Sequence, residues 1–355
     1  MTDGDFNRAA IDISARVMAH RESKQSVQAS RSRDELFPAY NRAGLGVALE
    51  WERMGEQPVS DKLLQRADAL GVEFEHIGLT LGSVLHNIDL KQPLAPEQVD
   101  FLYQSLLERK VIFFHDQHLD EEQQLTFARC FGDLDAFPFG NSGENPFILE
   151  LEHDDQYPAN QNGWHTDVTW MEKPSLGSVA QTVVVPPIGG DTLFSDSYAV
   201  YLGLNPDLQA RLQHVSAVSD YRPLLGIGDK ALPDDLVEVI KSRIPFGVSH
   251  PILRTHPDTG QTTVFLHAAF IRHDSLYDNR SGDPLGASES RKIVAELLQQ
   301  HARPEYTCRF QWREGSVAFW DNRALQHYAA SDYYPHRRKL RRVTISGDRP
   351  FYNPS

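Results

Sequence analysis

The chain has 355 residues, of which 40% are hydrophobic and 10% aromatic, so it can form a sizeable core and is not a wholly disordered protein. Its 35 Lys and Arg residues stand against 49 Asp and Glu residues, which gives a formal net charge of −14. Such an acidic chain is not attracted nonspecifically to nucleic acid or to an anionic membrane surface. We therefore expect neither partner, and an anionic ligand would need a local concentration of basic side chains.

The cysteines and the N-terminal residues indicate the cellular compartment in which we expect the protein. The two cysteines, Cys130 and Cys308, are too few for a disulfide framework. The first residues are charged and contain no apolar leader segment, and no run approaches the roughly 18 apolar residues of a membrane-spanning helix. These features predict a cytoplasmic protein.

The composition changes near residue 72. Residues 1–72 are rich in Arg, Ser, Glu and Gln and poor in apolar residues, which predicts a partly helical N-terminal arm that is either solvated or covers a partner surface. Residues 73–355 have the mixed composition of a compact domain. We therefore expect one domain preceded by an arm.

The start of the domain carries three local signals. Pro96 stands at a first helical position, and apolar residues recur behind it at helical spacing. The apolar run Val111–Phe114 predicts a buried strand. Asp120 and Gln123 form a capping-box pattern that opens a second helix, and Gly132 ends it.

Short apolar runs separated by Gly, Pro, Asn and Asp dominate the remainder of the chain. They are FILEL, LGSVAQTVVV, TTVFL, YTCRFQW, GSVAFW and RRVTIS, with short helices near Asn205 and from Ser288 to Gln300. The pattern predicts a mainly β fold with helical inserts, a sandwich or jelly roll. No glycine-rich phosphate loop is present, which argues against an enzyme that uses a dinucleotide or ATP.

Two histidines and one aspartate form a candidate metal site. In an extended segment, His165 and Asp167 would point to the same side because strand side chains alternate. Downstream, the apolar run SVAFW leads through a turn to His327. Two imidazoles and one carboxylate are the ligands of Fe(II) sites that keep positions open for substrate and dioxygen. An ordinary hydrogen-bonded pair, a non-catalytic metal-binding protein and a zinc hydrolase remain alternatives.

A basic cluster follows His327 in this acidic chain. If residues 338–345 form a strand, Arg338 and Arg342 share one face, with Cα atoms about 13 Å apart at roughly 3.3 Å per residue. Each guanidinium could then bind a different anion through a bidentate fork. A solvated basic patch and a nucleic-acid contact are the alternatives.

Residues 73–355 resemble the taurine dioxygenase family of Fe(II)- and 2-oxoglutarate-dependent oxygenases, which also includes alkylsulfatases and aryloxyalkanoate dioxygenases. The resemblance rests on a series of motifs in family-like order and spacing. These are LGSVLHNIDLKQPL, VIFFHDQHL, ARCFGDL, WHTDVTW, PPIGGDTLF, HPILRTHPDTG, WDNRALQHYA and RRVTISGDRPFY. The family fold is a double-stranded β-helix, or jelly roll.

The resemblance implies roles for individual residues and for three cofactors and cosubstrates. His165, Asp167 and His327 would hold Fe(II), and Thr192 and Arg338 would bind the distal carboxylate of 2-oxoglutarate, with O₂ as the second cosubstrate. Arg342 would bind the anionic head group of a small-molecule substrate, a site filled in the taurine enzyme by a sulfonate.

Three positions of the substrate pocket depart from the taurine enzyme. Phe137 stands where that enzyme has a histidine, Gln161 where it has an asparagine, and Leu225 where the family often places an aromatic side chain. Taurine itself is therefore disfavoured. His267, in the apolar run VFLHAAF, either lines the pocket or is a core histidine.

The resemblance implies hydroxylation of the carbon next to sulfur in an alkyl- or sugar-type sulfonate, or of the carbon next to oxygen in an alkyl sulfate. The products would be an aldehyde with sulfite or sulfate, together with succinate and CO₂. A carboxylate substrate such as an aryloxyalkanoate is the alternative within the same enzyme class. We also expect a homo-oligomer, a dimer or a tetramer.

Overall fold

The computed structural model describes residues 3–28, 36–37, 39–139, 144–159, 162–226 and 231–354. The helices in these ranges are α1 (Asp3–Gln28), α2 (Arg42–Arg53), α3 (Asp61–Leu70), α4 (Pro96–Arg109), α5 (Glu121–Arg129), α6 (Ser197–Gly203), α7 (Pro206–Leu212), α8 (Asp234–Arg243) and α9 (Ala287–His301). Short 3₁₀ turns lie at residues 39–41, 222–225 and 304–306. Within the described ranges, no helix combines the length and the apolar character needed to cross a bilayer.

Strands make up most of the domain. They are β1 (Glu73–His76), β2 (Ser83–His86), β3 (Val111–Phe114), β4 (Leu134–Asp135), β5 (Ile148–His153), β6 (Gly177–Val184), β7 (Thr192–Asp196), β8 (Val215–Ser219), β9 (Val248–Pro251), β10 (Leu253–Thr255), β11 (Thr262–Val264), β12 (Ile271–Asp278), β13 (Thr307–Phe310), β14 (Val317–Asp321), β15 (Leu325–Ala329) and β16 (Arg338–Ile345). The expectation of a strand-rich fold with helical inserts is confirmed.

The local signals at the start of the domain are also confirmed. Pro96 occupies the first turn of α4, and all four residues of β3 are buried. Asp120 accepts a hydrogen bond from the Gln123 N–H at 2.8 Å, while the Gln123 side chain accepts one from the Asp120 N–H at 2.9 Å. This reciprocal pair is the predicted capping box, and it fixes the start of α5.

Two sheets position the candidate site. The larger sheet has the order β1-β2-β3-β14-β6-β16-β4, with β5 also paired to β16, and the second has the order β13-β7-β15. An apolar cluster that includes Phe113, Phe194, Phe310, Trp320 and Leu340 contains residues of both sheets. The other side of the larger sheet packs against α3, α4 and α5. His327 lies on β15, and the two predicted anion-binding arginines lie on β16.

Strand β16 presents alternate side chains to its two faces, as predicted. Leu340 belongs to the cluster between the two sheets, whereas Val343 and Ile345 belong to the cluster on the helical side. Arg342 reaches the candidate site, and Arg338 lies against Gly190 just before β7 of the second sheet. Both arginines therefore point to the side of the second sheet.

The second half of the predicted arm packs against the domain. A Cβ on Gly46 of α2 would lie 2.3 Å from the Ala199 carbonyl oxygen, so only glycine allows this approach to α6. Glu50 and Lys110, both fully buried, form an ion pair at 2.7 Å. Residues 42–70 are therefore not a solvated extension, whereas the described side chains of α1 are exposed.

Candidate functional site

The two candidate histidines are held side by side by their own backbones. The His165 N–H donates to the His327 carbonyl at 3.1 Å, and the His327 N–H donates to the His165 carbonyl at 2.8 Å. Their ring centroids are 4.2 Å apart. The expected extended segment is wrong in detail, because His165 forms an isolated bridge and a turn begins at Asp167. The segment that carries His165 is held in place by its backbone pairing with His327 of β15. It does not form a regular strand of its own.

Asn322 fixes the backbone of Asp167. Its side-chain Oδ1 accepts from the Asp167 N–H at 2.7 Å, and its Nδ2 donates to the Asp167 carbonyl at 3.1 Å. The Thr166 hydroxyl donates to the Asn322 carbonyl at 2.6 Å. Asn322 is only 1% exposed. Asn322 stands in the turn between an apolar strand and the ligand His327, a position that could have indicated a supporting role. The sequence analysis assigned it none.

The three candidate ligand side chains meet at one point. Asp167 Oδ1 lies 3.7 Å from His165 Nε2 and 3.8 Å from His327 Nε2, and the three donor atoms all lie within 4.8 Å of one another. His165 Nδ1 donates to the Gly163 carbonyl at 2.7 Å, which leaves a lone pair on Nε2. Asp167 Oδ2 is buried and has no hydrogen-bond partner in the described chain. Two imidazoles and one carboxylate fit a divalent metal ion with open coordination positions.

The protonation states of these side chains suit metal binding. Burial lowers the pKa of His165, and it lowers the pKa of His327 to about 3. Burial alone would raise the pKa of Asp167, but the charge of Arg342 and the neighbouring imidazoles hold it below its usual range. The site therefore presents neutral imidazoles and an ionised carboxylate at neutral pH, which are the forms that coordinate metals.

Arg338 is a buried cation that forms no ion pair with any carboxylate of the described ranges. It is 5% exposed, and its Nε has no hydrogen-bond partner in those ranges. A Cβ on Gly190 would lie 3.0 Å from Arg338 Cδ, so glycine keeps the space beside the guanidinium open. Thr192 accepts a hydrogen bond from Trp312 Nε1 at 2.9 Å, which leaves the hydroxyl hydrogen free to donate. A buried guanidinium in this state favours an anionic ligand.

A cavity of about 600 Å³ adjoins the candidate metal ligands. Arg342 lines it and places Nη1 3.0 Å from Asp167 Oδ1. The apolar part of the wall includes Phe137, Leu149, Leu151, Trp170, Leu224 and Phe270. Among the described residues that line the cavity, Asp167 is the only acidic one. The cavity therefore combines one guanidinium with an apolar part of the wall and with further polar side chains, among them Asn162 and His267.

The remaining predicted pocket residues have different outcomes. Phe137 lines the cavity, but the expected wall residue Leu225 does not; Leu224 takes that place, although both leucines pack in one apolar cluster. Residues 222–225 form a 3₁₀ turn. Consecutive side chains of such a turn point in different directions, so Leu224 faces the cavity and Leu225 does not. Gln161 lies outside the described residues. His267 lines the cavity and is not a core histidine.

Replacing Asn322 with alanine is expected to weaken metal binding by roughly 10- to 100-fold, because supporting residues of this kind orient the ligand carboxylate. Calorimetric titration with Mn(II) measures the effect. Asn279→Ala is the control, because Asn279 is exposed and is not part of the candidate site. It should leave the dissociation constant for Mn(II) unchanged. Thermal unfolding without metal separates loss of orientation from loss of folding. An unchanged Mn(II) affinity in the folded variant would contradict the positioning role.

The chain is similar to known dioxygenases. The family model described as "Taurine catabolism dioxygenase TauD, TfdA family" matches residues 73–344. An alkylsulfatase of Acinetobacter baylyi is 33% identical over 274 residues, which cover 76% of this chain and 83% of the relative. An alpha-ketoglutarate-dependent sulfate ester dioxygenase of Pseudomonas putida is 32% identical over 287 residues, covering 79% and 92%. The crystal structure of a taurine dioxygenase from Burkholderia xenovorans superposes with a TM-score of 0.65 at 30% identity, covering 79% of this chain and 90% of that chain.

Proposed function

Because the chain belongs to the TauD, TfdA family of taurine catabolism dioxygenases, we propose that it hydroxylates the carbon next to sulfur in an alkyl- or sugar-type sulfonate, or next to oxygen in an alkyl sulfate. It is a 2-oxoglutarate-dependent dioxygenase, an enzyme class that uses Fe(II), 2-oxoglutarate and O₂. The hydroxylated product would collapse to an aldehyde and sulfite or sulfate. Family membership removes the zinc-hydrolase and non-catalytic alternatives.

His165, Asp167 and His327 would hold the iron. Their donor atoms converge, and their protonation states match those that a divalent ion requires. Bound Fe(II), with 2-oxoglutarate and O₂, supplies the oxidising power for the C–H bond, and succinate and CO₂ are released. The chain's own contribution is to orient the ligands through Asn322 and to hold the substrate carbon beside them.

Arg338 and Thr192 would bind the distal carboxylate of 2-oxoglutarate. The support is a buried guanidinium that pairs with no carboxylate in the part of the chain that the structure describes, and a hydroxyl that accepts from Trp312 and so can donate its own hydrogen. A charge-assisted fork with one additional hydroxyl satisfies both carboxylate oxygens. We also propose that the two facing sheets form the jelly-roll core of the family. The homo-oligomer and the cytoplasmic location stay predictions.

The cavity beside Arg342 is the observation that carries the substrate proposal. A guanidinium binds a sulfate or sulfonate group, and the apolar walls suit an alkyl or aromatic tail. Among the described residues that line the cavity, Asp167 is the only carboxylate that could pair with an amine such as that of taurine, and the metal ion would occupy it. We therefore propose an organosulfur anion with an apolar tail and without an amine.

A substrate comparison tests this proposal. Purified enzyme with Fe(II), 2-oxoglutarate and O₂ would be given hexyl sulfate, hexanesulfonate, taurine or phenoxyacetate, and succinate formation would be measured with sulfate and sulfite release. We expect turnover of the first two and little turnover of taurine. Preference for taurine would refute the substrate proposal, whereas preference for phenoxyacetate would establish the carboxylate alternative.

Arg342→Ala is expected to raise the apparent constant for the sulfur substrate by about 30-fold or more, because the loss of one partner of a desolvated charge pair costs about 2 kcal/mol or more. Arg342→Lys should recover only part, since a point charge replaces a planar fork. The constant for 2-oxoglutarate should change less than about threefold. Arg342 also contacts Asp167, so Mn(II) affinity must be measured in parallel. Equal losses for substrate and cosubstrate would contradict separate roles for the two arginines.

A further inference from the structure

His267 is one of the polar groups that line the cavity, together with Arg342, Asn162 and two of the candidate metal ligands. It follows β11, its ring centroid lies 4.8 Å from that of His165, and it packs against Phe270 at 4.1 Å. An isolated backbone bridge joins residues 165 and 267. His267 therefore has a fixed position beside the candidate metal ligands, and its ring lines the space that the substrate would fill.

The hydrogen bonding of His267 defines its tautomer. The Ala269 backbone N–H donates to His267 Nδ1 at 3.3 Å. A backbone N–H can only donate, so Nδ1 is the acceptor and the neutral imidazole carries its hydrogen on Nε2. The Nε2 edge of the ring lies opposite this contact, and the described chain provides no hydrogen-bond partner for it. His267 thus offers an N–H donor to the cavity.

The same tautomer separates His267 from the metal ligands. Its Nε2 has no lone pair to coordinate an ion, and the group of donor atoms within 4.8 Å of one another consists of His165, Asp167 and His327. Phe137, on the same cavity wall, has no polar atom. A neutral donor is therefore available to a ligand in the cavity that Arg342 also lines.

The chemistry of the ligand head group calls for such a donor. A sulfonate or sulfate group has three terminal oxygens, and a guanidinium fork binds two of them. The third oxygen then needs a further donor, because a buried acceptor without a partner is unfavourable. A carboxylate has only two oxygens, so Arg342 alone can satisfy it.

We propose that His267 is a specificity-determining residue that donates its Nε2–H to the third oxygen of an organosulfur substrate, an inference that rests on the proposed function. His267 and Arg342 together then bind all three oxygens. The pair selects sulfate and sulfonate head groups over carboxylates.

The test compares binding of hexyl sulfate and hexanoate to the enzyme loaded with Mn(II) and 2-oxoglutarate without oxygen, measured by calorimetry. We expect His267→Ala to weaken hexyl sulfate binding about tenfold and to change hexanoate binding less than about twofold. His267→Gln keeps an N–H donor and should recover most of the loss. The Mn(II) and 2-oxoglutarate dissociation constants should stay the same. His86→Ala, on β2 and outside the residues that line the cavity, is the matched control.

Each other outcome has a definite meaning. If wild-type enzyme binds neither anion, the proposed function fails. If wild type binds hexyl sulfate and His267→Ala binds it equally well, only the role of His267 is overturned. Equal weakening of both anions would overturn the selectivity. Weaker Mn(II) binding in both His267 variants would instead make His267 part of the metal site and refute the proposal. If Trp170→Phe alone weakens hexyl sulfate binding, the indole of Trp170, whose Nε1 is buried without a partner in the described chain, is the donor and His267 is not.

Discussion

Alanine in place of Asp167 is expected to abolish succinate formation and to lower Fe(II) affinity sharply. Asp167 Oδ1 is the atom that faces both imidazoles, so its removal leaves two neutral ligands and no charge to hold a divalent ion. His165→Ala and His327→Ala should have the same outcome, because each leaves one imidazole and the carboxylate. Iron stoichiometry after anaerobic reconstitution and succinate formation measure the effect.

Asp155→Ala is the control for this prediction, because Asp155 is an exposed aspartate in the loop that precedes the site. It should retain both iron and turnover. Thermal unfolding of each variant shows whether the loss reflects the site or the fold. Turnover near that of wild type in any of the three ligand variants would refute the assignment of the metal ligands.

Removal of the Arg338 guanidinium is expected to raise the apparent constant for 2-oxoglutarate by roughly a hundredfold or more. Arg338 is buried and forms no ion pair with a carboxylate of the described chain. In Arg338→Ala a desolvated cosubstrate carboxylate would lose its charge partner, at a cost on the order of 3 kcal/mol. Kinetics at varied 2-oxoglutarate, with saturating organosulfur substrate, measure the change.

The neighbouring residue provides a matched control. Arg337 is exposed and pairs with Glu152 at the surface, where ion pairs contribute little, so Arg337→Ala should leave the 2-oxoglutarate constant nearly unchanged. Arg338→Lys should give an intermediate value, because lysine restores charge without the planar fork. A change below about threefold in Arg338→Ala would mean that another basic residue holds the cosubstrate.

Sequence reasoning succeeded where the signal was local or repeated a known motif. The capping box at Asp120 and the apolar run of β3 depend on neighbouring residues, and both were correctly predicted. His165, Asp167 and His327 were selected by motif and spacing, and the structure brings their donor atoms together. Ligand chemistry restricts which residues can fill such positions, so their types are informative without a structure.

Features that depend on distant partners could not be predicted. Asn322 gains its role from the loop that carries Asp167, and Leu224 replaces Leu225 because of the path of a 3₁₀ turn. The packing of α2 relies on Gly46, which contacts α6, and on Glu50, which pairs with Lys110. Both partners lie outside the predicted arm, so the arm's own sequence does not show them. A polar composition therefore suggested a solvated segment where the structure contains a buried ion pair.

Cation and anion binding at this site are energetically linked. Arg342 Nη1 lies 3.0 Å from the Asp167 oxygen that also faces the two imidazoles. A cation that coordinates this oxygen withdraws negative charge from it, so the guanidinium is held less strongly within the protein and attracts an external anion more strongly. The effect is reciprocal, because any free energy that the cation adds to anion binding, the anion adds to cation binding. Asp167 therefore acts as an internal competitor of a substrate anion, and filling the cation site would strengthen anion binding by the same free energy by which the anion strengthens cation binding.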